Sequence, residues 1–317
     1  MRITPHGRYT TKHNELKFYN TGSGVSFSLF NNKVSFEIES KNNAGFIYII
    51  HDFDYEHKEK VFIENKKRFD FSFIDNQIHN IDLIKANEAI DNYLIIKLIS
   101  NNNESIEIEE SNKKFVKVYG DSTIAGYGIL SHDGEANIFT NDGVEDFCFR
   151  SLYSLGFDYD IFAASGWGLT FSIYTCPMTV GIENFQDKIC VNSNINWNGK
   201  SPDLLIISLG TNDFSFIQAN DQNSEDLTIK FIKSYENFIK KEREKNPEIP
   251  VLMLYGSVKE ENVYPLIKKT YSELSKKLKN IHLLKLSGDN SGLSNHSFYT
   301  FHKKMSEELS QKLKKLI

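Results

Sequence analysis

Cysteine is scarce in this 317-residue chain, with only Cys148, Cys176 and Cys190. An odd number without CxxC spacing leaves no disulfide framework and no cysteine-based zinc site, and it suits a reducing compartment. Long apolar runs are missing too. No stretch approaches the roughly 18 apolar residues of a membrane span, and the opening MRITPHGRYTTKHNELKF has no apolar leader core. The expectation is a soluble, cytoplasmic protein with no membrane partner, or a secreted one if a leader has been removed. Basic charge is not in excess either. A net charge of -5 offers no field for a phosphate backbone, so nucleic acid is excluded as a partner. The Lys-rich stretches 240–245 and 303–315 alternate with Glu and apolar residues, as solvated helix faces do.

What is present is an ordinary globular balance, 40% hydrophobic and 25% charged. The length exceeds the roughly 250–300 residues at which one core stops growing, so two domains are expected. From Gly22 to about Glu110, short alternating apolar runs are broken by Asn, Asp and Gly, the pattern of antiparallel strands with one face buried. Val25, Phe27 and Leu29 form one such run, and Val34, Phe36 and Ile38 repeat it after an Asn31-Asn32 turn. This predicts a β-sandwich of the jelly-roll kind over residues 1–110.

Beyond Lys113 near-continuous apolar runs alternate with helical patterns, as in a parallel sheet covered on both faces. The runs are Phe115 to Tyr119, Tyr159 to Ala164, Leu204 to Leu209, Val251 to Tyr255 and Ile281 to Leu286. Helical patterns fall around 145–155, 227–245, 263–279 and 301–316. Residues 111–317 are therefore expected to form a doubly wound α/β domain.

In such sheets the ligand site lies beyond the carboxyl ends of the strands. The first run ends in Gly120-Asp121-Ser122, the second in Ser165-Gly166-Trp167-Gly168 and the third in Gly210-Thr211-Asn212-Asp213, and the last leads to Ser294-Asn295-His296. Each alone reads equally as a turn, a relief of crowding or a helix cap. Together they place a hydroxyl, an imidazole and several N–H donors on one rim. A serine hydroxyl becomes a nucleophile when a neutral imidazole takes its proton, and the oxyanion that follows needs preorganised donors.

The four blocks, in this order, resemble those of the SGNH, or GDSL-type, hydrolases: VYGDSTIAGYG, FAASGWGL, ISLGTND and NHSFYTFHKKMSEEL. The resemblance implies a flavodoxin-like catalytic domain, with Ser122 as nucleophile and His296 as base. It implies an oxyanion hole from the N–H groups of Ser122 and Gly166, with Gly168 as second choice, and the amide of Asn212. It implies no cofactor and no metal. The family's Asp two residues before the catalytic His is replaced by Ser294. Asp289, the Ser294 hydroxyl or a backbone carbonyl could orient His296, and a Ser–His dyad with carbonyl support is the favoured reading. Asp121, Tyr127, Trp167 and Phe214 flank the blocks and are candidates for substrate contact. Trp197 is another aromatic close to them in sequence. His302 reads as a solvated or packing residue of the closing helix. His51, Asp52, Asp54 and His57 match no common metal spacing and read as structural.

A β-sandwich directly preceding such a domain, together with GRYT, TGSGVSF, SGWG, Cys176-Pro177-Met178 and Ser201-Pro202-Asp203, is similar to carbohydrate esterase family 2. That likeness implies a serine O-acetylesterase acting through an acetyl-enzyme on acetylated oligosaccharides or polysaccharides. The same residues would serve a lipid or general short-chain esterase or a sugar O-acetyltransferase, and loss of the Asp would suit a non-catalytic carbohydrate-binding protein.

Overall fold

The computed structural model describes residues 1–99, 105–131, 134–173 and 180–317. The first strands are β1 (Arg2–His6), β2 (Tyr9–Lys12), β3 (Glu15–Phe18), β4 (Gly24–Phe30), β5 (Lys33–Lys41), β6 (Gly45–His51), β7 (Glu59–Ile63), β8 (Lys66–Ser72), β9 (Ile78–Lys85), β10 (Tyr93–Ile99) and β11 (Glu107–Ile108). They build a six-stranded sheet, β11-β1-β4-β9-β6-β7, and a five-stranded sheet, β2-β3-β10-β5-β8, antiparallel except where β11 joins β1. Alternation decides what faces inward: in β5 Val34, Phe36 and Ile38 are buried, and Phe36 and Ile38 lie opposite Leu98 and Ile96 of β10. Together with Val25, Phe27 and Leu29 of β4 they form the apolar layer between the two sheets.

Two features depart from the strand reading. Strands β1 to β3 precede Gly22, where the five- and four-residue segments carry too few apolar residues for alternation to register. Strands β6 and β9 are buried on both faces. Ile47, Ile49, Ile81 and Leu83 enter the sandwich core, whereas Tyr48, Ile50 and Ile84 join a second cluster with Phe147, Phe149, Leu152, Met305 and Leu309. The outer face of the six-stranded sheet is thus covered by helices of the following segment.

That segment contains β12 (Phe115–Gly120), α1 (Ser122–Ala125), α2 (Phe147–Ser154), β13 (Asp158–Ala163), β14 (Leu204–Ser208), α3 (Thr211–Ala219), α4 (Ser224–Glu242), β15 (Val251–Tyr255), α5 (Glu260–Ser275), β16 (Ile281–Lys285) and α6 (Tyr299–Leu313). The five strands are parallel in the order β13-β12-β14-β15-β16. The chain reverses its direction of winding between β12 and β14, which creates the crevice where doubly wound sheets bind ligands. Residues 211–219, whose helix has few apolar positions, were not apparent in the periodicity. Among the described residues no helix is long and apolar enough to cross a membrane.

Polar contacts join the sandwich to the parallel sheet. Arg8 is fully buried, with Nε 2.9 Å from Asp160 Oδ2, a terminal nitrogen donating to Tyr119 Oη at 3.1 Å, and its guanidinium 4.1 Å from the centre of the Phe162 ring. A guanidinium removed from water must be paired, and this one is held by a carboxylate and by backbone carbonyls. Cys148 is a buried free thiol and Cys190 a half-buried one. Cys176, Pro177 and Met178 lie outside the described residues.

Candidate active site

Strand β12 ends on Gly120, where a Cβ would stand 2.3 Å from Ile124 Cγ1, so only glycine lets α1 turn this tightly off the sheet. Asp121 caps α1 by accepting the Thr123 N–H at 3.1 Å. The Ser122 N–H, first in the helix, has no intrahelical acceptor and no protein acceptor among the described residues.

Ser122 Oγ lies 2.7 Å from His296 Nε2, and both residues are 8% exposed. His296 Nδ1 is 3.0 Å from the Leu293 carbonyl oxygen, which also accepts the His296 backbone N–H at 3.0 Å. A carbonyl only accepts, so Nδ1 carries the proton and Nε2 is free to accept from the serine hydroxyl. Burial pushes the imidazole down to about 4, although the backbone acceptors at Leu293 and Ser294 pull it up. The ring is neutral at neutral pH, the state a general base requires.

Of the three candidates for orienting the ring, the carbonyl is the one in contact. Ser294 sits exposed in the left-handed region at φ 52, followed by Asn295 at φ 64. This sharp turn brings the Leu293 carbonyl back onto the imidazole. Asp289 exchanges backbone hydrogen bonds with Ser297 Oγ and makes none to the imidazole. His302 is buried rather than solvated; it accepts the Phe147 N–H at 3.2 Å and bonds the Ser297 carbonyl at 3.2 Å, tying α6 to the residue after His296.

The glycine block follows β13. Gly166 is in a left-handed conformation at φ 80, and its N–H has no protein acceptor among the described residues. The Gly168 N–H is directed to Ser172 Oγ at 3.3 Å, which leaves Gly166 as the open donor of the two. Gly168 has a packing reason to be glycine, since a Cβ there would stand 2.1 Å from the Phe171 carbonyl oxygen. Asn212, in the first turn of α3, donates from Nδ2 to the Trp167 carbonyl at 3.0 Å, and the amide retains a second N–H.

Ser122, Gly166 and Asn212 thus lie just beyond the carboxyl ends of β12, β13 and β14, and the turn before α6 brings His296 onto Ser122. Residues 117–314, more than half of the chain, match the family model described as GDSL-like lipase/acylhydrolase. The chain belongs to that family. This makes it a carboxylic ester hydrolase. The solved structures it resembles include a family two carbohydrate esterase from Clostridium thermocellum in complex with cellohexaose, at 18% identity and a TM-score of 0.81 over 99% of this chain and 98% of that one. An acetyl xylan esterase from the rumen bacterium Butyrivibrio proteoclasticus has 15% identity and a TM-score of 0.81, covering 99% and 94%. A family two carbohydrate esterase from Cellvibrio japonicus has 19% identity and a TM-score of 0.77, covering 99% and 95%. No curated protein sequence matches the chain.

In this acylhydrolase the four residues expected to meet substrate have different surroundings. The Tyr127 ring is half-buried and 5.1 Å from the His296 ring, beside the Ser122–His296 pair. Trp167 is turned inward, edge-on to Phe185 at 5.4 Å, because its apolar bulk completes the core beneath α3 and α4. Asp121 is buried under the Ser122 turn, where loss of water pushes its carboxyl up to about 6. Phe214 is half-buried against the same core as Trp167. Trp197 packs on Tyr9 at 5.2 Å.

Asp213 escaped the motif reading except as a helix cap. It is fully buried, and its carboxylate accepts the N–H groups of Leu169, Thr170 and Phe171 at 2.8, 2.8 and 2.9 Å. Burial pushes it up to about 7 against those three donors, which pull it down. It clamps the loop after the glycine block onto α3. Gly128 was missed as well: at φ 59 its bare Cα accommodates Leu293, whose Cδ2 would be 2.8 Å from a Cβ. Among the described residues no group of three or more His, Cys, Asp or Glu side chains could hold a metal ion. His57 pairs with Asp54 at 2.8 Å, and Asp52 with His79 at 3.0 Å.

Proposed function

We propose that this acylhydrolase is a serine O-acetylesterase that removes acetyl groups from the hydroxyls of oligo- or polysaccharides. The observation that carries the reading is the 2.7 Å approach of Ser122 Oγ to an imidazole nitrogen whose partner nitrogen is anchored on a carbonyl. Ser122 Oγ attacks the acetyl carbonyl carbon as its proton passes to His296 Nε2. The carbonyl oxygen becomes an oxyanion facing the N–H groups of Ser122, Gly166 and Asn212. When the carbon–oxygen bond to the sugar breaks, Nε2 returns the proton to the departing sugar oxygen and Ser122 carries the acetyl group. A water molecule then attacks, gives its proton to Nε2, and acetate leaves as Ser122 recovers it. The transient imidazolium is met by the dipole of the Leu293 carbonyl in place of a carboxylate.

The sugar substrate is supported by fold rather than by motif. Similarity to the two carbohydrate esterases and the acetyl xylan esterase extends through the sandwich and the catalytic segment alike. The test is hydrolysis of p-nitrophenyl acetate and longer acyl esters, and of acetylated xylan and glucomannan fragments, by the wild type and Ser122→Ala. Acetate release from the glycans that disappears in the variant supports the proposal. Preference for long acyl chains points to a lipid esterase, acetyl transfer to added sugar to a transferase, and equal activity of both proteins removes the serine mechanism.

A further inference from the structure

The segment joining β9 to β10 is the part of the sandwich that reaches the glycine block. Its base is fixed: the Ala86 carbonyl accepts the Gly143 N–H at 3.0 Å and Thr21 Oγ1 at 2.7 Å. Asn87 accepts the Phe46 N–H at 2.8 Å and donates to the carbonyls of Ile138 and Asn141 at 2.9 and 3.2 Å. Buried Lys85 donates from Nζ to the carbonyls of Asn87 and Glu88. From this frame Glu88, only 2% exposed, extends to Ser165. Oε2 accepts the Ser165 N–H at 2.8 Å, and Oε1 accepts its hydroxyl at 2.6 Å.

Holding a carboxylate out of water is costly unless hydrogen bonds repay it. Burial and the neighbouring Asp91 push this carboxyl up to about 7, while Ser165 and Lys85 pull it down. Lys85 Nζ donates to backbone carbonyls, and among the described residues the Glu88 side-chain oxygens bond only to Ser165. Gripping both donors of one residue fixes the orientation of the peptide that follows. The neighbouring bonds complete the turn: the Trp167 N–H returns to the Ala164 carbonyl at 3.3 Å, and the Gly166 carbonyl accepts from Ile173 at 3.1 Å. Within this held turn, Gly166 at φ 80 keeps an N–H with no protein acceptor among the described residues.

We infer that Glu88 is a positioning residue: the sandwich, through its β9–β10 segment, sets the Gly166 N–H toward the oxyanion. The inference rests on the esterase reading above. It assigns the sandwich a part in the chemical step in addition to any contact with glycan.

The experiment measures kcat and KM on p-nitrophenyl acetate for wild type, Glu88→Gln, Glu88→Ala, Ser165→Ala, the Glu88→Ala/Ser165→Ala double variant and Ser122→Ala, with thermal unfolding of each. A mis-set oxyanion donor costs up to the roughly 10²–10³ of its removal. Glu88→Ala is therefore expected to lose about 10–100-fold in kcat with KM within about twofold, and Glu88→Gln, which keeps one acceptor, to lose less. The double variant is expected to lose no more than Glu88→Ala alone, since the two residues act as one unit. Should Glu88→Ala fail to fold, Glu88→Gln and Ser165→Ala make the same comparison, and wild-type kcat in both overturns the inference. A folded Glu88→Ala with kcat within threefold of wild type overturns it, as does a fully additive double variant. If Ser122→Ala is inactive while the Glu88 variants keep their rate, the role of Glu88 alone falls. If Ser122→Ala stays active, the esterase reading falls and this inference falls with it.

Discussion

Replacing Asn212 by alanine separates the cost of binding from the cost of chemistry. The side chain is 5% exposed, and one of its N–H groups is bound to the Trp167 carbonyl at 3.0 Å. The other is the group assigned to the oxyanion, where loss of one donor costs about 10²–10³ in kcat, or about 2.7–4 kcal/mol. The donor meets a charge that exists only after attack, so KM should change by less than about threefold. The lost bond to Trp167 leaves a buried carbonyl unpaired, which removes about 1–3 kcal/mol of stability. Steady-state kinetics on p-nitrophenyl acetate across a wide substrate range gives kcat and KM separately, and differential scanning fluorimetry reports the stability. A folded Asn212→Ala enzyme with kcat within threefold of wild type would refute the assignment. So would a loss confined to KM, because the amide would then be recognising the ground state.

Three further expectations follow from the same geometry. Because burial holds His296 neutral down to about 4, kcat/KM should rise with pH through an inflection near that value, well below the ordinary histidine range; an acid limb centred at 6 to 7 in the pH profile would contradict it. Asp213→Ala strips acceptors from three buried N–H groups and should cost about 3 kcal/mol or more by urea unfolding, so a loss below about 1 kcal/mol would show that the loop re-forms its bonds elsewhere. Ser294→Asp restores the residue type usual at that position, yet the side chain there is exposed and Nδ1 is already engaged by Leu293; kcat should stay within about threefold, and a tenfold gain would mean that the carbonyl is a poor substitute.

Much of the architecture was legible because periodicity reports burial. Continuous apolar runs such as Leu204 to Leu209 mark a strand covered on both sides, and the alternation at Val34, Phe36 and Ile38 marks one covered on a single side. The motif blocks were legible because chemistry restricts residue type: a hydroxyl, an imidazole and small residues whose backbone can be approached. The limits have equally physical causes. Strands β1 to β3 lack enough apolar positions to reveal a period, and the outward burial of Tyr48 and Ile84 depends on a helix encoded more than sixty residues later.

Residue types and their order along the chain determined the α/β class and which serine and which histidine to pair. Only the folded chain decided what orients the imidazole, because a backbone carbonyl belongs to every residue and carries no sequence signal; the left-handed turn at Ser294 and Asn295 is what brings the one at Leu293 into contact. Tertiary structure likewise sent Trp167 into the core, set Asp213 under the glycine block and brought Glu88 to Ser165 from 77 positions away. Such long-range pairings follow from how sheets stack and are not encoded in any local pattern.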